Sequence, residues 1–161
     1  MSMTSMSGLN NMVVIGAGAA GMMAAGTAAS LGAQVTLLEP NGKLGKKLFI
    51  TGKGRCNVTN NCTGDEVLKN VPVNARFLYG ALAGFSPADA MDFFEHYGCA
   101  LKTERGNRVF PLSDQAGSVI DALRRFLKET GVKIQWERAL EIETENGAVT
   151  GVRTPAGVIP A

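Results

Sequence analysis

Histidine, tryptophan and cysteine are scarce in this chain: one His, one Trp and three Cys among 161 residues. A single histidine supplies no His cluster for zinc, and no close set of cysteines replaces it, so no metal site is expected. His96 stands between Glu95 and Tyr97, with no Ser or Cys signature beside it. It reads as a surface or hydrogen-bonded side chain rather than an acid–base group. Cys56, Cys62 and Cys99 are an odd number without a secretion signal, which argues against a disulfide framework. An excess of one charge is missing too. Sixteen Lys and Arg oppose fourteen Asp and Glu, for a net charge of +2 and no long basic run. Nothing therefore points to nucleic acid or to an anionic membrane surface. The apolar run Met12–Ile15 is far too short to cross a bilayer. Met1–Asn11 lacks both a positive start and an apolar stretch, so it reads as a flexible tail rather than a signal peptide. The cytoplasm is the expected compartment, and there the sequons at Asn57 and Asn61 would not be glycosylated.

What is present is a globular composition, 45% hydrophobic and 19% charged, and a length that suits one domain over residues 12–161. Met12–Gly16 is a short apolar run ending in glycine and predicts a buried strand. Ala19–Leu31 predicts a helix of small residues closed by Gly32, and Gln34–Leu38 a second strand, which together open a βαβ unit. Asn41–Thr63 is irregular and rich in Gly, Lys, Asn and Thr, a length of loop that is usually functional. A helix is expected near Val73–Leu82, and another from Pro87, with Ser86 as its N-cap and Gly98 stopping it near Tyr97. Leu101–Thr103 and Arg108–Phe110 predict a hairpin. Ser113–Thr130 carries the strongest helical stripe, through Val119, Ile120, Leu123, Phe126 and Leu127. Val132–Trp136, Ala139–Glu143 and Val149–Arg153 predict strands, with turns at Asn146-Gly147 and Pro155-Ala156-Gly157. The expected class is α/β: a Rossmann-like domain with a mainly parallel sheet plus a hairpin and meander. Val158-Ile159 reads as the start of a further strand, so the domain is expected to be incomplete.

Gly16-Ala17-Gly18-Ala19-Ala20-Gly21 is a G-x-G-x-x-G placed directly after a predicted strand and opening a helix. Gly16 permits the tight turn, Gly18 lets the backbone approach a pyrophosphate, and Gly21 lets the helix pack close to the sheet. The amides and positive dipole end of the helix favour phosphate. Glu39 ends the second strand, where an acid meets a ribose hydroxyl and repels a 2′-phosphate. This pattern disfavours NADP at the site but leaves FAD and NAD both open.

Gly45-Lys46-Lys47-Leu48-Phe49-Ile50-Thr51-Gly52-Lys53-Gly54-Arg55-Cys56-Asn57-Val58-Thr59-Asn60 is the most distinctive stretch. Gly52 and Gly54 free the backbone to form an anion-binding nest, and Lys46, Lys47 and Arg55 bring positive charge. A solvated basic loop is the alternative. The glycine fingerprint, Glu39 and this run together resemble a bacterial family of NAD(P)/FAD-dependent, aminoacetone-oxidase-like flavoproteins that includes a bile-acid-ring reductase. Arg108–Ser113 and Ser118–Leu123 also look like signatures of that family. The resemblance implies an oxidoreductase holding FAD, with Gly16 through Gly21 (Ala17, Ala19 and Ala20 included) at the pyrophosphate and Glu39 on the adenosine ribose. It implies that Lys46, Lys47, Arg55, Cys56 and Asn57 lie along the cofactor toward the flavin, and that Ala139 meets the adenine through its backbone.

Two departures stand out. Position 53 is Lys where the family tends to have glycine, and family members run to more than twice this length. Five residues separate Cys56 from Cys62, against the four of dithiol flavoenzymes, so no catalytic disulfide is expected. No residue presents itself as catalytic acid or base. The reading is the FAD-binding part of a flavin oxidoreductase that exchanges hydride with NAD(P)H or a small organic substrate. A truncated, non-catalytic FAD- or ADP-binding module and an NAD-binding Rossmann domain are the alternatives. The oligomeric state is not determined, and a homo-oligomer is among the allowed states.

Overall fold

The computed structural model describes residues 11–161; the expected tail, apart from Asn11, lies outside the described residues. In chain order the elements are β1 (Asn11–Ile15), α1 (Ala19–Ser30), β2 (Gln34–Leu38), β3 (Thr59–Asn60), α2 (Gly64–Lys69), α3 (Tyr79–Gly84), α4 (Pro87–His96), β4 (Leu101–Glu104), β5 (Arg108–Pro111), α5 (Ala116–Glu129), β6 (Lys133–Gln135), β7 (Glu141–Glu145), β8 (Ala148–Thr154) and β9 (Gly157–Pro160). Two compact units are present: residues up to Lys46 together with Arg124–Ala161, and Lys47–Leu123.

The first unit is Rossmann-like. Its parallel sheet runs β1-β2-β6, with Met12 beside Val35, Ile15 beside Leu38, and Leu37 beside Ile134. Parallel strands need a crossover, and α1 supplies the one between β1 and β2. The helix is built of small residues because it must lie close to its neighbours. A Cβ on Gly26 would come 2.2 Å from the Phe126 ring of α5. Met22, Ala25, Leu37, Leu38 and Leu127 are buried in this unit. Each large apolar side chain among them contributes about 1.5–3 kcal/mol by leaving water. The antiparallel meander β7-β8-β9 completes the unit. Asn146 and Gly147 both have positive φ, 51° and 81°, the geometry a two-residue hairpin turn requires. Outside that turn, Arg153 on β8 pairs with Glu141 and Glu143 on β7.

The second unit holds the antiparallel sheet β3-β5-β4 and a core of Cys56, Cys99, Ala116, Val119 and Ala122. Leu48, Val58, Phe94, Tyr97 and Leu101 pack against that core. Ser86 and Asp89 cap α4 reciprocally, and Pro87 fills its first turn as expected.

Several boundaries differ from the sequence reading. The helix expected near Val73–Leu82 starts only at Ala75, because Asn74 is left-handed at φ 55°, and it divides into a 3₁₀ turn, Ala75–Leu78, and α3. The helix expected from Ser113 begins at Ala116, since Asp114 takes φ 57°. The strand expected at Ala139–Glu143 lies two residues later, as β7. The short helix α2 was not anticipated; its signal is the capping box of Thr63 and Glu66. Among the described residues no helix is long and apolar enough to cross a membrane.

Candidate functional site

The glycine turn between β1 and α1 assigns a different task to each glycine. Gly16 sits at φ +97°, a conformation side chains resist, and its N–H donates to the Leu38 carbonyl at 2.8 Å. Gly21 is required by contact: a Cβ there would lie 1.9 Å from the Gly16 carbonyl oxygen. Gly18 is different. Its φ is −77°, and an added Cβ would meet no protein atom within 4 Å. Among the described residues nothing in the packing requires glycine at that position. A surface kept bare of side chain where the backbone faces outward fits a pyrophosphate.

The first intrahelical bond of α1 runs from the Met22 N–H to the Gly18 carbonyl. The amides ahead of it, those of Ala19, Ala20 and Gly21, precede the helical ladder and sit at its positive end. No acidic side chain stands in this first turn to compete for them. Ala17 is buried, and its carbonyl accepts from the Gly45 N–H at 2.8 Å, which holds the start of the irregular segment against the turn.

Glu39 ends β2 and is only 7% exposed. Its N–H donates to the Gln135 carbonyl at 3.0 Å, which anchors it to β6. One carboxylate oxygen, Oε2, accepts from the Ala17 N–H at 2.9 Å. The other, Oε1, accepts from the Asn41 N–H at 2.9 Å and from Asn41 Nδ2 at 2.6 Å. Burial pushes this carboxyl up. The bonds from Ala17 and Asn41 and the nearby charge of Lys46 outweigh burial and hold it below the usual carboxylate range. Glu39 is therefore an ionised, oriented acceptor beside the glycine turn. Asn41 escaped the sequence reading. The available signal was an amide side chain two residues beyond the acid, across Pro40. Lys46 is exposed, and Ala139 is half-buried in the segment before β7.

Lys47, Arg55, Cys56 and Asn57 belong to the second unit. Lys47 is exposed at the start of the 3₁₀ segment Leu48–Gly54. The turn that follows is strongly left-handed, with φ of 54° at Gly52, 57° at Lys53, 85° at Gly54 and 63° at Cys56. A Cβ on Gly52 would crowd the Asn57 nitrogen at 2.9 Å, so glycine is needed there for space as well. Arg55 is engaged internally. Its Nη1 donates to Glu104 at 2.8 Å and to Asp114 at 3.1 Å, and its guanidinium lies 4.0 Å from the centre of the Phe110 ring. Lys102 joins the same carboxylates. Hydrogen bonds to Glu104 and then Asp114 raise the Arg55 pKa further; Arg55 in turn holds Glu104 low, and Lys102, ahead of Arg55, holds Asp114 low. Cys56 is buried, and burial pushes its thiol up against a smaller opposing pull from Thr51, so it is a poor nucleophile at neutral pH. Asn57 is exposed. Among the described residues no group of three His, Cys, Asp or Glu could hold a metal ion.

Comparison with known proteins agrees with this fold. Residues 10–158 match the family described as HI0933-like protein Rossmann domain. The 3-dehydro-bile acid delta(4,6)-reductase of Clostridium scindens is 37% identical over 128 residues, covering 78% of this chain and 31% of that protein. The ribosomal RNA dihydrouridine synthase of Escherichia coli is 34% identical over 111 residues, covering 69% of this chain and 27% of that protein. The chain thus spans less than a third of the length of these relatives. Among solved structures, an oxidoreductase from Methanosarcina mazei superposes with a TM-score of 0.59 at 16% identity, covering 94% of this chain and 57% of that one. Glycine oxidase from Bacillus cereus gives 0.53 at 16% identity, covering 94% and 53%. At these identities the likeness shows the fold.

Proposed function

We propose, from the premise that this chain belongs to the HI0933-like family of Rossmann domains, that it is the FAD-binding part of a flavin-dependent oxidoreductase. The observation that carries the reading is the pairing of two features in one unit. Gly18 presents backbone that no side chain covers, and the buried, ionised Glu39 is hydrogen-bonded to the same turn through Ala17. Glycine turn and acid stand at the carboxyl ends of β1 and β2, the edge where open parallel sheets bind nucleotides. Residues 12–161 would serve as the cofactor-binding region of a cytoplasmic protein. The amides at the start of α1 would hold the pyrophosphate, Glu39 a ribose hydroxyl, and the backbone near Ala139 the adenine. Lys46 is the candidate in this unit for the remainder of the cofactor; Lys47, Asn57 and the backbone around Cys56, which the family resemblance also implies, belong to the second unit. Arg55, engaged with Glu104 and Asp114, would shape that turn rather than neutralise a phosphate.

When bound, the flavin would supply hydride and electron transfer, taking reducing equivalents from NAD(P)H or exchanging them with a small organic substrate. The chain's own contribution is binding and orientation, since no described side chain is placed as an acid or base. The relatives support redox chemistry: one is named a reductase, and two structural neighbours are named an oxidoreductase and an oxidase. A second reading, a module that binds the ADP half and turns nothing over, is supported by the glycine turn and Glu39, both of which address that half. Titration of the purified chain with FAD, ADP, NAD and NADP tests both. The proposal expects FAD to bind with quenched flavin fluorescence, NADP to fail, and NADH or NADPH to bleach the flavin. Binding without bleaching, with ADP competing almost as well as FAD, selects the module. Preference for NAD over both FAD and ADP overturns the flavin assignment.

A further inference from the structure

An ionised carboxylate offers about four acceptor positions, two on each oxygen. In Glu39 three are already taken. The Asn41 N–H and Nδ2 both donate to Oε1, and the Ala17 N–H donates to Oε2. One position is left, and it lies on Oε2, the oxygen bonded to the glycine turn. We infer that Asn41 is a positioning and specificity-determining residue, which closes Oε1 and restricts Glu39 to reading a single ribose hydroxyl through Oε2. This inference rests on the nucleotide reading of the site given above.

The argument is one of hydrogen-bond capacity. A carboxylate with both oxygens open engages the two adjacent hydroxyls of a ribose together, one on each oxygen. With Oε1 saturated by the main chain and side chain of one residue, a second hydroxyl at that oxygen would have to displace an N–H donor already at 2.6 or 2.9 Å. The backbone bond also sets the reach of the amide. Asn41 holds Glu39 two residues back across Pro40, so the side-chain bond closes a local ring with little freedom to lose. Burial of most of Glu39 raises the cost of leaving a displaced donor or acceptor unpaired. Selectivity between the two ribose hydroxyls therefore resides in Asn41, a residue that itself need not touch the nucleotide.

The test compares ADP, 2′-deoxy-ADP and 3′-deoxy-ADP binding to the chain, to Asn41→Ala and to Glu39→Ala. Asn41→Ala keeps the backbone donor and removes only Nδ2. In the unaltered chain one deoxy analogue should bind about 10-fold more weakly than ADP, and the other within about 2-fold. Asn41→Ala should erase most of that one-sided penalty, so that both deoxy analogues lose affinity to a similar degree. Asn41→Ser, which restores a short donor, should bring part of the asymmetry back. Equal penalties for the two analogues in the unaltered chain overturn the inference, and so does an asymmetry that survives in Asn41→Ala. Glu39→Ala separates the two levels. If it leaves ADP affinity unchanged, the nucleotide reading itself fails; if it weakens ADP while the analogue pattern is wrong, only the role of Asn41 fails.

Discussion

Two glycine-rich turns in this chain look alike on paper and differ in what they leave available. The turn from Gly16 to Gly21 spends its glycines on geometry at two positions and leaves the third bare toward the outside. The acid that accompanies it, Glu39, is held by three donors and still has an open acceptor position. The turn from Gly52 to Asn57 carries more charge, yet its arginine is tied to Glu104 and Asp114 and lies against Phe110, and its cysteine is buried. Positive charge in a loop does not by itself make an anion site. What decides is whether the donors are still unspent once the chain has folded.

Substitutions within the first turn should give the largest contrast. Gly21→Ala places a Cβ on the Gly16 carbonyl and has no flexible neighbour to move, so it should destabilise the chain by about 3 kcal/mol or more. Gly18→Val places its Cβ where no described atom lies within 4 Å and keeps an ordinary φ, so thermal unfolding should change little while nucleotide binding disappears. Thermal melts beside flavin titrations separate the two. A folded Gly18→Val chain that still binds FAD tightly would falsify the division of labour between these glycines.

A smaller effect distinguishes the two turns. Glu39→Ala should weaken FAD or ADP binding by about 1.5–3 kcal/mol, the value of a charge-assisted hydrogen bond to a buried carboxylate. Arg55→Ala should lower the melting temperature, with a salt-dependent part, and leave ADP affinity within about 2-fold, since its charge is balanced by its own partners. ADP titrations and melts at two salt concentrations measure both. A large loss of ADP binding in Arg55→Ala would mean that its pairs open for the ligand.

The smallest effect is expected in pH dependence. The Glu39 carboxyl is held below its ordinary value in the fold, so the native state binds fewer protons at this site than the unfolded chain. The stability this contributes is fully present above the unfolded value, near 4.3–4.5. It is lost as pH falls through the lower folded value. Denaturant melts between neutral pH and about pH 3 should show a shallower acid loss in Glu39→Gln than in the unaltered chain. An identical slope would remove Glu39 as a titrating group.

The elements that could be read in advance were those whose signal is local. The apolar run of β1, the small-residue helix closed by Gly32, β2, the Ser86 cap and the Asn146-Gly147 turn all lie where the sequence indicated, although β1, expected to be buried, is exposed to half-buried. The misreadings occurred where local signal is weak or is overridden. The six residues of α2 carry no apolar stripe, and only the Thr63–Glu66 box betrays them. The start of α5 is set by Asp114, whose left-handed backbone and contacts to Arg55 and Lys102 come from chain distant in sequence. The two-residue β3 exists only because β5 pairs with it, Asn60 beside Arg108 and Thr59 beside Val109, 48 and 50 positions later.

The sequence by itself determined that a strand, a glycine turn and a helix follow one another, with an acid ending the next strand, because periodicity and glycine placement are properties of neighbouring residues. Folding decided which polar groups remain available. Glu39 was legible as an acid at the right distance, but its burial, its bond to Ala17 and its clamp by Asn41 depend on parallel pairing of β1 with β2 and on the turn beyond. Arg55 was legible as a cation near glycines, and only the packing of its turn beside Glu104, Asp114 and Phe110 shows that its charge is satisfied within the chain. Hydrogen-bond donors and charges are written in the sequence, whereas their remaining capacity is set by the partners that tertiary structure brings to them.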